Sequence, residues 1–424
     1  MQVDVAIIGG GPAGCAAALT LGKRPDIRTL LIERGDYSRA KVGESLSPGV
    51  RSLLQYLGLW ERFDREQRHS LMGNEAAWGS EDLGAMDFIF TLHGAGWALD
   101  RRAFEAMLAE EAEAAGATLW RETSVGACTW HGTQWRIGTT RGAVTARYLL
   151  DAAGRTSGLS LAQGARRLRN DTLVALCAVL PRAGRMAQVT RVEAVPEGWW
   201  YAAPLPSGAA MCCLFTDAGL SHAAGLADPA RWSQALARTR HIAPLLRAEA
   251  PQVQVLPAFS GLLSDTNPAL PMVAAGDAAA ARDPLSSSGI PNAMASGIQA
   301  ARVAADHLFG SGALAQGYRD SLLLDHQAYL RAHWRTYRTE TRWPEAPFWR
   351  FRAAQARRAP GAVVRRRAVR ERSIFVPGPV SDWIRRAASE EQTQLALMTR
   401  ARAAFPALPD ERLMLAVEEL TEPV

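Results

Sequence analysis

Residues Val3 to Gly22 read VDVAIIGGGPAGCAAALTLG, and this stretch decides the fold. Val3 to Ile8 is a short, nearly unbroken apolar run, of the kind buried on both faces of a parallel sheet. Gly9 to Gly14 follow, then an Ala-rich helical run from Cys15 to Gly22, then Thr29 to Glu33 (TLLIE) as a second strand. Strand, helix and strand within about 33 residues make a βαβ unit. Gly9-Gly10-Gly11-Pro12-Ala13-Gly14 is a G-x-G-x-x-G that follows a strand and opens a helix, and Glu33 closes the next strand. Those are the conditions for a dinucleotide-binding fingerprint. Gly9 permits the tight turn, Gly11 lets the main chain approach a pyrophosphate, and Gly14 lets helix and strand pack closely. The helix N-terminus offers free N–H groups and a partial positive charge to phosphates. Glu33 accepts from ribose hydroxyls, and its charge disfavours a 2′-phosphate.

Outward from this unit, three segments carry further chemistry. Lys41-Val42-Gly43-Glu44-Ser45-Leu46-Ser47-Pro48-Gly49 is a turn that leads into a helix. Trp97-Ala98-Leu99-Asp100-Arg101 places an arginine where it can reach a phosphate or a bound ring system, at the start of an amphipathic helix running to Ala115. Gly276-Asp277-Ala278-Ala279 follows the strand Met272–Ala275, and Asp283-Pro284-Leu285-Ser286-Ser287-Ser288-Gly289-Ile290 opens a helix that runs to Phe309. The backbone N–H groups of that helix end suit a group that gains negative charge.

Between about Arg166 and Phe259 the pattern changes to alternating, aromatic-rich segments, such as Thr172 to Leu180 and Ala209 to Thr216, which read as an antiparallel sheet. The expected fold is therefore α/β. A discontinuous Rossmann-like domain (1–165 and 265–330) carries an inserted antiparallel substrate domain (166–264, with part of 70–96), and an Arg-rich, mainly helical region (331–424) follows.

The four segments, in this order, resemble the flavin monooxygenase superfamily related to p-hydroxybenzoate hydroxylase, in the branch of flavin-dependent tryptophan halogenases and geranylgeranyl reductases. The resemblance covers about residues 1–310 and implies a glutathione reductase-type FAD domain. It implies FAD contacts at Gly9, Gly11, Pro12, Ala13, Gly14, Glu33, Arg34, Ser45, Arg101, Val125, Gly276, Asp277, Ser288, Gly289 and Ile290. The departures decide between branches. Tryptophan halogenases carry hypohalous acid on a lysine well after this VGE segment, but here no lysine follows Lys41. Ser286 stands where they have a glutamate, and Gly198-Trp199-Trp200-Tyr201-Ala202-Ala203-Pro204 keeps the tryptophans but not the spacing of their Trp-x-Trp-x-Ile-Pro motif. A monooxygenase asks less of side chains: through a flavin C4a-hydroperoxide it hydroxylates an electron-rich ring held in a dry site.

Within this branch the chain is similar to the flavoproteins that hydroxylate a tryptophan of another polypeptide during tryptophylquinone biogenesis, as for quinohemoprotein amine dehydrogenase. That similarity implies O2 as co-substrate, electrons from NAD(P)H or a separate flavin reductase, and a protein as substrate. Trp199, Trp200, Tyr201 and Pro204 are the expected substrate wall, with His93 near the domain crossing; ordinary core packing is the alternative for the tryptophans. No catalytic acid or base stands out. Hydroxylation or epoxidation of a small aromatic or polyketide metabolite, halogenation, and a non-catalytic FAD-binding role are the other readings.

Composition sets the outer bounds. With 424 residues, 48% hydrophobic and 21% charged, the chain is ordinary globular material for two or three domains. No apolar run reaches the roughly 18 residues of a membrane span, and the N-terminus lacks signal-peptide features, so a cytoplasmic location is expected. Five cysteines, Cys15, Cys128, Cys177, Cys212 and Cys213, have no metal-site spacing and read as buried thiols, with Cys212 and Cys213 on opposite strand faces. The formal charge of +6 is uneven: Arg331 to Arg372 holds thirteen arginines and three acids. That stretch suits an acidic protein partner rather than nucleic acid; arginine stems lying on apolar surface are the alternative.

Overall fold

In the computed structural model, which describes residues 1–423 apart from 40, 68, 92–93, 185, 248–250, 264–269, 357–362, 368–371, 374 and 409, the opening strand runs Gln2–Ile8 and is buried on both faces from Val3 onward. It sits in a seven-stranded sheet. Thr29–Ile32 lies parallel on one side and Gly142–Asp151 parallel on the other, and Met272–Ala274 joins Gly142–Asp151, also in parallel. The first helix starts at Pro12, three residues earlier than its apolar run suggested. Proline at a first helical turn costs nothing, because that N–H lacks an intrahelical acceptor anyway. A second helix, Arg101–Ala114, is capped by the Asp100 carboxylate on the N–H groups of Arg102 and Ala103. The long helix Gly289–Phe309 packs against the first, and a Cβ at Gly297 would strike the Ala13 carbonyl. Only glycine permits that approach.

Between Gly142–Asp151 and Met272–Ala274 the chain makes most of a second seven-stranded sheet, ordered Gln254–Pro257, Leu173–Leu180, Ala210–Asp217, Gly198–Pro204, Val189–Val195, Gly73–Ala77 and Gly84–Asp87. Its pairings are antiparallel except one. Val189–Val195 runs parallel to Gly73–Ala77, because that strand arrives from the first half of the chain and not through a hairpin. Side chains alternate. Leu176, Trp200, Cys212 and Leu214 pack with Trp232 and Leu236 of a covering helix, while Ala175, Cys177, Trp199, Cys213 and Phe215 form a cluster on the other face. Cys212 and Cys213 thus face opposite ways, and all five cysteines are free and buried.

The boundary expected at 331 falls inside one helix, Leu314–Arg338. The arginine content changes there, but the inward positions Tyr318, His326, Tyr329, Leu330 and Tyr337 continue through it. Pro347–Ala356 follows, then Gly378–Ala387, Gln394–Ala404 and Asp410–Leu420, with a three-stranded sheet that includes Val363–Arg366. Ile384, Leu397, Leu413 and Val417 form a core that also takes in Leu262. No helix among the described residues is long and apolar enough to cross a membrane.

Candidate functional site

The glycine turn leaves a space that the protein does not fill. A Cβ on Gly9, whose φ is +107°, would strike the Ala152 carbonyl, and one on Gly14 would strike the carbonyl of Gly9. A Cβ on Gly11 would meet nothing within 4 Å. Gly9 and Gly14 are therefore required by the chain's own packing, whereas Gly11 borders open space above a helix N-terminus that no side chain caps. Glu33 sits just past its strand, 9% exposed, and accepts from the N–H of Gly10 at 2.7 Å and of Gly35 at 2.9 Å. Each oxygen keeps a lone pair for another donor. A cavity of about 520 Å³ is lined by Ile8, Arg34, Val125, Gly126, Ala153, Thr156 and Ser157 among others. Arg34 and Val125 thus come together, far apart as they are in sequence. Open glycine, buried acid and cavity fit the nucleotide half of FAD.

The Gly154 turn that completes this cavity carries residues the sequence reading passed over. Asp151, fully buried, accepts from Ser157 Oγ, Ser160 Oγ and the Ala153 N–H. Arg155 donates to Asp277 Oδ2 through Nε at 3.1 Å and Nη2 at 3.0 Å, and also to the carbonyls of Phe259 and Arg282. Asp277 is thus held by Oδ2 at the end of the first sheet. The signal for Arg155 was an arginine directly after a strand-ending glycine.

Segments 41–46 and 96–101 are knitted together. Ser45 pairs with Ala98 and Leu46 with Trp97, and Arg101 Nη1 donates to the carbonyls of Val42 (3.0 Å) and Gly43 (3.1 Å). Glu105 pairs with both Arg101 and Lys41. Arg101 therefore braces the loop, and its buried Nε has no hydrogen-bond partner among the described residues. At the other loop Ser288 begins the Gly289–Phe309 helix without a side-chain cap, and a Cβ on Gly289 would meet only open space. Gly289 and Ile290 begin this helix with main-chain N–H groups that no side chain caps, whereas the Gly276 N–H is taken by Ser296 Oγ at 2.8 Å.

Val42 and Leu285, one from each loop, pack against the sheet cluster that holds Trp199, Tyr201 and Phe215. Trp199 stacks on Phe215 with ring centroids 3.9 Å apart. Tyr201 faces Glu44 and Ser45, and burial, then the Glu44 carboxylate, push its phenol well above the usual value. Of the expected wall, Trp199 and Tyr201 are on this face. Trp200 is on the other, edge-on to Trp232 at 5.0 Å, because neighbouring strand residues point opposite ways. Pro204 ends the strand, buried. His93 lies outside the described residues.

The remainder of this buried aromatic cluster comes from the C-terminal region, which sequence patterns did not foretell. Tyr337, Phe348 and Trp349 join the cluster. Trp199 Nε1 donates to Tyr337 Oη at 2.8 Å, and Tyr337 Oη donates to Asp283 Oδ2 at 2.8 Å. Asp283 Oδ1 accepts from the Leu285 N–H, and the Asp283 N–H donates to Tyr329 Oη. His333 stands 3.8 Å from Asp283 Oδ2, and burial holds its imidazole below the usual value. The serine-rich loop is thus bound to the second sheet through Tyr337. No metal-binding group of His, Cys, Asp or Glu occurs among the described residues.

A family model described as FAD binding domain matches residues 2–315. The chain is 32% identical over 361 residues to LodB of Marinomonas mediterranea, a protein whose name describes an FAD-dependent oxidoreductase; the match covers 83% of this chain and 97% of that one. Among solved structures, the myxobacterial chondrochloren halogenase CndH matches with a TM-score of 0.72 and 23% identity, over 83% of this chain and 86% of its own. The peptidyl tryptophan dihydroxylase QhpG, described as essential for tryptophylquinone cofactor biogenesis, matches with a TM-score of 0.69 and 23% identity, over 83% and 79%.

Proposed function

The chain belongs to the FAD-binding domain family and is an FAD-dependent oxidoreductase, and from that premise we propose that it is a monooxygenase acting on a tryptophan side chain of a partner polypeptide during tryptophylquinone biogenesis. In that reaction one atom of O2 enters a ring C–H bond and the other leaves as water, with two electrons from NAD(P)H or a reduced flavin. FAD, when bound, supplies the oxygen-activating chemistry. The observation that carries the reading is the aromatic face of Trp199, Tyr201, Phe215 and Tyr337 set against both flavin loops in a chain that has no lysine beyond Lys41.

The chain's own groups have distinct tasks. Gly11 would admit the pyrophosphate, Gly9 and Gly14 hold the turn that exposes it, and Glu33 would take ribose hydroxyls. Arg34 and Val125 line the nucleotide cavity. Arg101 fixes the 41–46 loop, and Asp277, oriented by Arg155, would hold the ribityl chain. Asp283 and Tyr337 fix the serine-rich loop, whose helix end stabilises negative charge by about 0.3–2 kcal/mol. The aromatic cluster, buried and packed within itself, keeps water from the two loops it lies against. The QhpG likeness supports a peptidyl substrate and the LodB likeness supports redox chemistry on FAD. Halogenation is the second reading, favoured by the likeness to CndH and opposed by the missing lysine: Lys41 is committed to Glu105 in the loop brace.

Intact mass of a tryptophan-bearing small-subunit polypeptide, incubated with the protein, FAD, NADH, O2 and bromide, tests this. Addition of 16 or 32 Da (about one or two oxygen atoms) with free tryptophan untouched is expected. Bromine on either substrate overturns the reading in favour of halogenation, and an oxygenated free tryptophan overturns the peptidyl part.

A further inference from the structure

The thirteen arginines between Arg331 and Arg372 do different things. Arg352 is buried on Asp217, at 2.9 and 3.0 Å, and stacked on Phe348. Arg342 pairs with buried Glu340, and Arg365 with Glu422. Arg331, Arg335 and Arg338 are another matter. They stand at i, i+4 and i+7 of the Leu314–Arg338 helix, hence on one face, and all three are exposed. Arg350 is exposed on the following helix, next to Phe351, which is 40% exposed. None of the four guanidiniums has a partner among the described residues. The neighbouring acids Asp325 and Glu340 are taken by Arg282 and Arg342, which leaves Glu345 as the exposed acid of the segment.

We propose that the outward face of these two helices, centred on Arg331, Arg335 and Arg338 with Arg350, docks an acidic segment of the polypeptide whose aromatic side chain is oxidised. The proposal rests on the reading of the substrate as a polypeptide. Three like charges held together on one helical face repel each other, and a ligand rich in carboxylates relieves that repulsion and steers encounter. Exposed Leu324 and Phe351 beside the arginines suit a peptide's mixed side chains better than a phosphate backbone. The location adds a reason. The inner side of the same helix carries Tyr337, bonded to Trp199 of the sheet and to Asp283 of the serine-rich loop. A partner bound here rests on the back of an element that walls the site.

The test is fluorescence anisotropy of a labelled polyglutamate peptide with the full FAD-loaded chain, without reductant, so that docking is read apart from oxidation. Reversing Arg331→Glu, Arg335→Glu and Arg338→Glu together is expected to weaken binding at least about tenfold and to flatten its salt dependence. Reversing exposed Arg136, Arg238 and Arg247 to Glu changes net charge equally and is expected to change affinity less than about threefold. Replacement of the first triplet by Gln repeats the loss if the Glu variant fails to fold. Equal losses in both triplets, no loss in the first, or tighter binding of a single-stranded oligonucleotide of the same length overturns the proposal. Peptide binding intact, with no oxygen gained by the tryptophan-bearing polypeptide in the separate incubation with NADH and O2, leaves docking standing and removes the monooxygenase reading.

Discussion

Gly11 and Gly14 are both glycines of one turn, yet the structure separates what they do. Gly11 faces open space and Gly14 faces the backbone of Gly9. Gly11→Val is therefore expected to give a folded, colourless protein: thermal melting of the FAD-free form within a degree or two of the wild type, with no flavin absorbance. Gly14→Val is expected to cost about 1–3 kcal/mol or more through overpacking, whatever the FAD content. A yellow, fully loaded Gly11→Val variant sinks the assignment of the turn. A second residue bears on pH. His326 is buried among Asn170, Tyr329, Arg282 and His333, and burial first, then Arg282 and His333, push its imidazole down to about 3. An unfolded chain takes up that proton near pH 6.5, where the folded chain refuses it. The stability contributed by neutral His326 is thus complete above pH 6.5 and is lost as pH falls toward 3. Melting temperatures at pH 7 and pH 5 should differ less in His326→Gln than in the wild type; an undiminished difference places the sensitivity elsewhere.

Among elements, the Pro347–Ala356 helix is pinned to the second sheet by Arg352 on Asp217 and by Trp349 Nε1, which donates to the Val195 carbonyl at 2.8 Å. Arg352→Ala leaves Asp217 without its buried counter-charge and removes the stack on Phe348, so it should cost about 3–5 kcal/mol, read from a urea midpoint; a loss below 1 kcal/mol would assign the pinning to Trp349. Elements also show what the sequence made legible. The glycine turn, Glu33, the capped Arg101–Ala114 helix and the Gly289–Phe309 helix could be read because each has a local cause: a required backbone shape, a capping side chain or an apolar period. The alternation of Gly198–Pro204 was equally plain, but a period of two gives two faces and does not say which one packs on Val42 and Leu285. The helix bearing Trp232, far along the chain, settles that, and it buries Trp200. The parallel pairing of Val189–Val195 with Gly73–Ala77 and the Trp199–Tyr337 hydrogen bond join segments more than a hundred residues apart, and Tyr337 reaches Asp283 across 54 more; no local rule connects them. The arginine count misled at 331, since composition records the exposed face of a helix and not its ends.

For the whole molecule, one strand of the first sheet, Met272–Ala274, comes after the whole second sheet, so the nucleotide fold closes only once more than a hundred intervening residues have been placed. Such long-range closure slows folding relative to local contacts. It also ties the two sheets to a common fate, since losing the inserted sheet pulls the last strand away from Gly142–Asp151. The five buried thiols make this visible. Cys15 lies in the first helix, Cys128 in the first sheet, and Cys177, Cys212 and Cys213 in the second, while the chain beyond Cys213 has none. Burial pushes the Cys15 thiol far up and the Cys128 thiol to about 11, so at neutral pH neither is a nucleophile while the fold is closed. The molecule therefore carries its own clock. An alkylating reagent stays idle until a sheet opens, and the order in which the sulfurs are captured records the sequence in which the architecture comes apart.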